Sequence, residues 1–174
     1  EVDLFLFLHD GEMMPYIPKE VNLLPEIKKY AGLISSVKTN LKWMNFNLLL
    51  GKKEAKSKAQ KFIEKQKISA QNLVYDNYLQ KYSLKHLPTI TDQTYDLAIS
   101  FLTPHYVTAH KVNAKNKIAW IHTDYSFFEF DKSAEIEMWN SYDYIASISE
   151  DCTQGFIKQF PELSSKIVKI ENVL

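Results

Sequence analysis

Two side chains that could do chemistry lie close together in the run KIAWIHTD, residues 117–124. His122 and Asp124 are two positions apart, so an extended backbone would direct both side chains to the same side. A histidine there could move a proton or donate a hydrogen bond to an anionic oxygen. The structural alternative is equally simple: His122 would bond nearby backbone, and Asp124 would begin the next turn.

The element that would position this pair is a strand. Residues 118–121 form an uncharged apolar run bounded by polar residues. Such a run is typical of a strand that is buried on both faces of a parallel sheet. In open parallel sheets, ligands bind beyond the carboxyl ends of the strands. The pattern therefore predicts that His122 and Asp124 lie at a ligand-binding edge.

The second half of the chain alternates strand-like and helix-like segments. Strands are predicted at residues 95–102, 117–122, 144–148 and 166–170, with helices at 104–114, 134–141 and 150–160. Strands separated by segments of helical length form βαβ units. This half is therefore predicted to be α/β, with a Rossmann-like open parallel sheet flanked by helices.

The first half is predicted to be mainly helical. Short strands are expected at residues 2–8 and 21–24, followed by a helical segment at about 26–86 with breaks at Gly32 and Gly51. Apolar residues at helical spacing predict three helices. The apolar stripe of the first helix is Leu41, Met44 and Leu48, after an N-cap at Ser35 or Ser36. The second stripe is Ala55, Ala59, Phe62 and Ile63, and the third is Val74, Tyr78 and Tyr82.

Residues 51–67 are the most strongly charged segment, with seven lysines and two glutamates. Clustered lysines attract anionic lipid headgroups, so the helix at residues 52–67 could contact a membrane. A solvated helix face is the favoured interpretation, because the apolar stripe of this helix is made largely of small residues.

Two further segments follow predicted strands. Residues 125–130, YSFFEF, carry four aromatic side chains, which cannot all face the core from one loop. An exposed surface for sugar rings or lipid chains is one interpretation, and a loop packed onto its own domain is the other. Ser149, Glu150 and Asp151 have the composition of a helix N-terminus, with the acids near the positive end of the helix dipole.

Metal and phosphate sites are not predicted. His105 and His110 are five residues apart, which turns them away from each other on a helix, and the sequence contains no Asp-x-Asp pair. The four glycines are not clustered into a phosphate-binding loop. All 21 basic residues are lysine, so no arginine can clamp a phosphate.

The composition also argues against several classes of protein. The 21 basic and 21 acidic residues cancel, whereas a general nucleic-acid binder needs a surplus of positive charge. Cys152 is the only cysteine, so no intrachain disulfide can form. No apolar stretch reaches the length of a membrane span. These features predict a soluble protein of the cytoplasm.

The segments YDLAISF, KIAWIHTD and YDYIASISEDCTQGFIKQFPELSSKIVKIENVL together resemble the acceptor-side half of family-4 glycosyltransferases, which have the two-domain GT-B architecture. In that family a strand ending in histidine, a strand ending in a serine-rich turn with Glu, and a final Ile-x-Asn before the interdomain linker occur in this order. The resemblance covers residues 95–174 well and residues 2–18 loosely. It implies one N-terminal acceptor-binding domain over residues 1–174.

The resemblance implies retaining transfer of a sugar from a nucleotide-sugar donor to a saccharide or lipid-linked acceptor, without a bound metal or other cofactor. His122 matches the family histidine near the donor sugar and its phosphates, and is the implied catalytic residue. Ser149 and Glu150 match a turn that lines the interdomain cleft, and Asn172 matches the asparagine before the linker. The implied acceptor contacts are Asp124, Tyr125, Phe127 and Phe128.

Two parts of the family pattern would lie outside these residues. The first strand with its glycine-bearing loop would precede Glu1, and the donor-binding domain with its paired glutamates would follow Leu174. The chain is therefore expected to be part of a longer enzyme that works in the cytoplasm or at the inner face of the cell membrane, and to be inactive alone. The rival hypothesis is a non-catalytic α/β domain that binds carbohydrate or regulates another protein.

Overall fold

The computed structural model describes residues 1–171, within which two parallel sheets and seven α-helices occur. The first half contains β1 (Val2–Leu4), β2 (Val21–Leu23), α1 (Lys28–Ile34), α2 (Val37–Lys42), α3 (Phe46–Gln66) and α4 (Val74–Ser83). The second half contains β3 (Thr94–Phe101), α5 (Tyr106–Lys111), β4 (Asn113–Ile121), α6 (Lys132–Trp139), β5 (Tyr144–Ser147), α7 (Glu150–Gln159) and β6 (Ile167–Lys169).

The larger sheet has the strand order β3-β4-β5-β6, and all its strands are parallel. Each pair of successive strands is joined by one α-helix, because parallel neighbours need a crossover connection. The predicted α/β class, with an open parallel sheet and flanking helices, is confirmed. The strands β1 and β2 form a separate two-stranded sheet. Tyr95 of β3 connects the two sheets by donating a 2.6 Å hydrogen bond to Asp3 of β1.

One face of the larger sheet packs on the helices, and the other face is open. In β4 Ala119 and Ile121 are buried, whereas Ile118 and Trp120 are only half-buried. The prediction that this strand is buried on both faces is therefore wrong for the described structure. The open face exposes Leu97, Ile99, Phe101, Tyr144 and Val168.

Aromatic rings dominate the core between the sheet and its helices. Trp139 lies edge-on to Phe156 with ring centroids 5.2 Å apart, and Tyr125 lies edge-on to both of these rings. Phe160 stacks on Phe130 at 5.1 Å. Rings of this size bury a large apolar area in specific edge-to-face and stacked geometries, so this cluster fixes how α6 and α7 sit on the sheet.

The helix predicted at residues 104–114 is shorter than expected. Helix α5 has six residues and ends at Lys111, because β4 already begins at Asn113 and pairs with β3 from Thr94 onward. The pairing of β3 with β4 therefore overrides the local helical pattern of this segment.

The helical half was predicted with the wrong breaks. Gly32 and Gly51 lie inside α1 and α3, and both are buried. The chain instead turns at residues 35–36, 43–45 and 67–73, so Leu41, Met44 and Leu48 do not share one helix. The N-cap expected at Ser35 or Ser36 is confirmed at Ser36, whose side chain accepts the Thr39 N–H.

Gly32 lies where three helices meet, and this contact explains the glycine. The Asn40 amide donates to Gly32 O at 2.8 Å and accepts from Asn45 at 3.1 Å, forming a buried polar link between α1, α2 and the start of α3. A Cβ at position 32 would lie 2.5 Å from Asn40 Oδ1 and 2.7 Å from Leu48. The packing therefore requires a residue without a side chain.

The lysine-rich segment forms most of α3, as predicted. Ala55 and Ala59 are buried against α4, while Phe62 and Ile63 pack beside Val74 and Tyr78. Lys52 is an exception to the exposed lysine face, because its ammonium group donates to three carbonyls at the C-terminal end of α1. Within residues 1–171, no helix combines the length and hydropathy needed to cross a bilayer.

Replacing Gly32 by alanine is expected to destabilise the protein by about 1–3 kcal/mol, because the added methyl group overpacks the contact with Asn40 and Leu48. Urea unfolding followed by circular dichroism measures this change. The control is Ser57→Ala on the exposed face of α3, which should change stability by no more than about 0.5 kcal/mol. Equal stability of the Gly32→Ala variant and the parent chain would contradict this packing.

Candidate functional site

The carboxyl ends of β3, β4 and β5 meet at one edge of the larger sheet. Phe101 pairs with Trp120, and Ile121 pairs with Ser147, so the three strands end at nearly the same level. The segments that follow them begin at residues 102, 122 and 148. This edge is where open parallel sheets place their ligands, so it is the candidate site.

His122 lies at this edge on the open face of the sheet. Its ring centroid is 4.2 Å from that of Phe101, and it stacks with Trp120 at 6.4 Å. The residue is half-buried, and its Nε2 atom is shielded from solvent without a hydrogen-bond partner among the described residues. The backbone-bonding role considered for His122 is not observed, and the imidazole has an unused polar atom.

The Asp124 side chain is directed to α7 rather than to the open face of the sheet. Strand β4 ends at Ile121, and the Asp124 side chain accepts the Ser126 N–H at 2.8 Å to cap a short 3₁₀ turn. Its Oδ1 lies against Gly155 of α7, where an added Cβ would be only 2.1 Å away. The backbone bends at Thr123, so the expectation that His122 and Asp124 share one side is wrong.

The aromatic loop after Asp124 divides between the core and the surface. Tyr125 and Phe130 are buried, Phe128 is half-buried, and Phe127 is 65% exposed. The Tyr125 ring is enclosed by Trp139 and Phe156, so it cannot contact an acceptor in this conformation. Phe127 and Phe128 are therefore the two loop aromatics that a ligand can reach.

Ser149 and Glu150 form the expected helix N-terminus. The Ser149 hydroxyl accepts the Cys152 N–H at 3.2 Å, which caps α7. Glu150 is exposed and accepts a 2.8 Å hydrogen bond from Gln154. Both side chains border the edge, but their hydrogen bonds are made to residues of α7 itself. Asn172, the implied residue before the linker, lies outside the described residues.

A cavity of about 220 Å³ lies between α1, α4 and the turn after β3. Asp76, Asn77, Gln80 and Thr103 supply its polar atoms, and Phe7 and Pro104 are among its apolar residues. Thr103 is the second residue after β3, so the cavity adjoins the same edge as His122. The sequence predicted α4 only as a helix with an apolar stripe, because no local sequence pattern indicates that this helix packs near the end of β3.

One strongly perturbed carboxyl near the cavity is that of Glu135, which none of the predicted sites included. Glu135 is fully buried in α6 and accepts a hydrogen bond from the Asn77 amide. Burial raises the pKa of Glu135 to about 8, so the carboxyl is largely protonated at neutral pH. A signal was present, because Glu135 lies between Ala134 and Met138 on the buried side of a predicted helix.

His105 is another buried titratable group near this edge. Its Nδ1 is 2.8 Å from the Ser100 hydroxyl, and the Tyr142 hydroxyl donates to its backbone carbonyl. Burial lowers the pKa of His105 to about 3, with a smaller contribution from His122, so the ring is neutral. Among residues 1–171, no cluster of three or more His, Cys, Asp or Glu side chains could hold a metal ion.

Comparison with known proteins gave no match: no protein-family model, curated protein or solved structure is similar to this chain. The geometry of the sheet edge is therefore the basis for any functional assignment, together with the resemblance carried by the residues themselves.

The buried acid predicts how stability depends on pH. Glu135 keeps its proton in the folded protein up to about pH 8, whereas it loses it near pH 4.5 when unfolded. The folded state then binds more protons, so stability should fall as the pH rises from about 6.5 to 8. Between about pH 4.5 and 6.5 the unfolded chain also protonates His105, whose folded pKa is about 3, and this opposes the gain in stability from Glu135. The test is therefore made at pH 6.5 and above.

The measurement is the urea midpoint of the parent chain and of Glu135→Gln at pH 6.5, 7.25 and 8. The amide cannot ionise, so the variant should lose most of the decline seen in the parent chain. Declines of equal size in both proteins would mean that Glu135 is not the group responsible.

Proposed function

We propose that this chain is the acceptor-binding half of a glycosyltransferase, an enzyme that moves a sugar from a nucleotide-sugar donor to a saccharide or lipid-linked acceptor. The transfer is retaining and requires no bound metal, and the donor is held mainly by a second domain of the same enzyme. The edge formed by the ends of β3, β4 and β5 faces that second domain across a cleft.

The observation that carries this proposal is the arrangement of the three strand ends. The segments that resemble the glycosyltransferase pattern end at one edge of one parallel sheet, in adjacent strands. His122 occupies the strand end at which the pattern has its histidine, and its Nε2 has no partner there. The strand ends that carry these residues are thus neighbours at one edge of the sheet.

The role of His122 follows from the chemistry of transfer. As the bond to the nucleoside diphosphate breaks, negative charge develops on the departing phosphate oxygens. A donor held on a rigid strand end stabilises that charge without having to reorganise. The rings of Phe101 and Trp120 hold the imidazole in place. Closure of two domains around the substrates would align them and exclude water.

The acceptor is assigned to the loop after β4. Phe127 and Phe128 present aromatic surface on which the apolar face of a sugar ring can stack. Asp124 and Tyr125 keep the loop in this conformation, and Ser149 and Glu150 border the cleft. Asn172 is proposed to lie at the hinge between the two domains.

The enzyme is proposed to work in the cytoplasm, at the inner face of the membrane if its acceptor is lipid-linked. The lysine-rich helix at residues 52–67 is one candidate for contact with lipid, through exposed lysines such as Lys56. Nucleic acid is not a proposed partner, because the chain has no net positive charge.

Replacing His122 by alanine in the full-length enzyme is expected to lower the rate of sugar transfer by about 10²-fold or more, as the loss of one charge-stabilising donor does in other enzymes. Release of nucleoside diphosphate measures the rate. The matched control is His110→Ala, because His110 is exposed on α5 before the amino end of β4. Full activity of His122→Ala would refute the assignment of His122.

Isothermal titration calorimetry of the 174-residue chain tests the division of labour between the domains. The chain alone should bind nucleotide-sugars weakly or not at all, because the proposed donor pocket is in the other domain. Tight binding of a nucleotide-sugar would overturn this division. A full-length protein that binds saccharides but transfers no sugar from any donor would favour the non-catalytic alternative.

A further inference from the structure

A second surface of the molecule has the features of an interaction site. It comprises the end of α1, all of α2 and the first two turns of α3, and is called here the α1–α3 surface. Six large apolar side chains on it are between 49% and 70% exposed. Single exposed apolar residues are ordinary, whereas a group of them marks a binding surface. The six are Ile34, Val37, Leu41, Met44, Phe46 and Leu50.

These side chains form two stripes that meet. Val37, Leu41 and Met44 follow one another at intervals of four and three residues along α2 and its end. Phe46 and Leu50 are one turn apart at the start of α3. Met44 and Phe46 line the same shallow groove, so the two stripes are continuous.

The charge of this segment is one-sided. Between Glu26 and Glu54 the sequence has six lysines and no acidic residue, although the whole chain has a net charge of zero. Lys52 is turned inward to the carbonyls of α1. The other five lysines are exposed, and one of them, Lys29, lines the shallow groove together with Met44 and Phe46. The five are Lys28, Lys29, Lys38, Lys42 and Lys53.

We propose that the α1–α3 surface docks on a lipid bilayer that contains anionic lipids. The apolar side chains enter the boundary between headgroups and acyl chains, and the surrounding lysines meet the negative headgroups. Reversible attachment to a membrane usually needs two such signals acting together. The absence of acidic side chains in this segment removes the repulsion that would oppose contact with an anionic surface.

The lysines in the C-terminal part of α3 are not accompanied by exposed apolar side chains that could enter a bilayer. Phe62 and Ile63 are half-buried against α4, so Lys61 and Lys65 have no exposed large apolar neighbours on their own helix. Charge alone gives weaker, purely electrostatic attraction. The α1–α3 surface, rather than the C-terminal part of α3, is therefore the part of the molecule that inserts.

The test is flotation of the chain with vesicles of phosphatidylcholine alone or with 30% phosphatidylglycerol. The chain should bind the anionic vesicles, and binding should decrease as NaCl rises from about 0.05 to 0.5 M, since salt screens the lysines. Lys38→Glu/Lys42→Glu should weaken binding at least about tenfold. Leu41→Gln/Phe46→Gln should do the same by removing insertion. Circular dichroism checks that both variants remain folded.

Two control variants make the result specific to this surface. Lys61→Glu/Lys65→Glu changes the same charge elsewhere on α3, and Met13→Gln removes an apolar side chain that is 73% exposed elsewhere. Both control variants should bind the anionic vesicles more strongly than the two α1–α3 surface variants do. No binding to anionic vesicles, equal binding to neutral vesicles, or loss of binding in the controls alone would overturn the proposal. The assay contains no sugar donor or acceptor, so its outcome is independent of the proposed transferase activity.

Discussion

Burial of the Tyr125 ring is the constraint on which the shape of the candidate site depends. The ring lies edge-on to Trp139 and Phe156, and so joins the loop after β4 to both α6 and α7. With Tyr125 held in the core, Asp124 is drawn onto Gly155, and Phe127 is turned to the surface. An aromatic ring of this size contributes strongly to the core. The loop is therefore held in one conformation by this packing together with the hydrogen bond that Ser126 N–H donates to Asp124.

Much of the larger sheet could be predicted from the sequence, because each of its strands is a short apolar run followed by a segment of helical length. The pattern could not show which strand faces would be covered, since coverage depends on residues distant in the chain. Gly32 illustrates the same limit in the helical half. A glycine is a reasonable break in a local pattern, but here its missing side chain admits Asn40 and Leu48 from two other helices.

The candidate site was predictable at the level of the edge and not at the level of side chains. His122 follows the predicted strand, but the spacing that paired it with Asp124 assumed an extended backbone through Thr123, where the chain instead bends. Glu135 and Asn77 are 58 residues apart in the sequence, so only the tertiary structure brings them together. Their contact links α4 to α6 beside the edge at which the acceptor is proposed to bind.

The central claim is that the carboxyl edge of the larger sheet binds a saccharide, and NMR titration of the ¹⁵N-labelled chain tests it most directly. Millimolar mono- and disaccharides from a panel are added while the backbone amide signals are followed. The account predicts that at least one saccharide shifts the signals of Thr123, Phe127 and Ile148 at the carboxyl ends, and leaves those of Asn113 and Lys166 at the opposite ends unchanged. Shifts confined to the opposite ends, or no shifts with any saccharide, would contradict it.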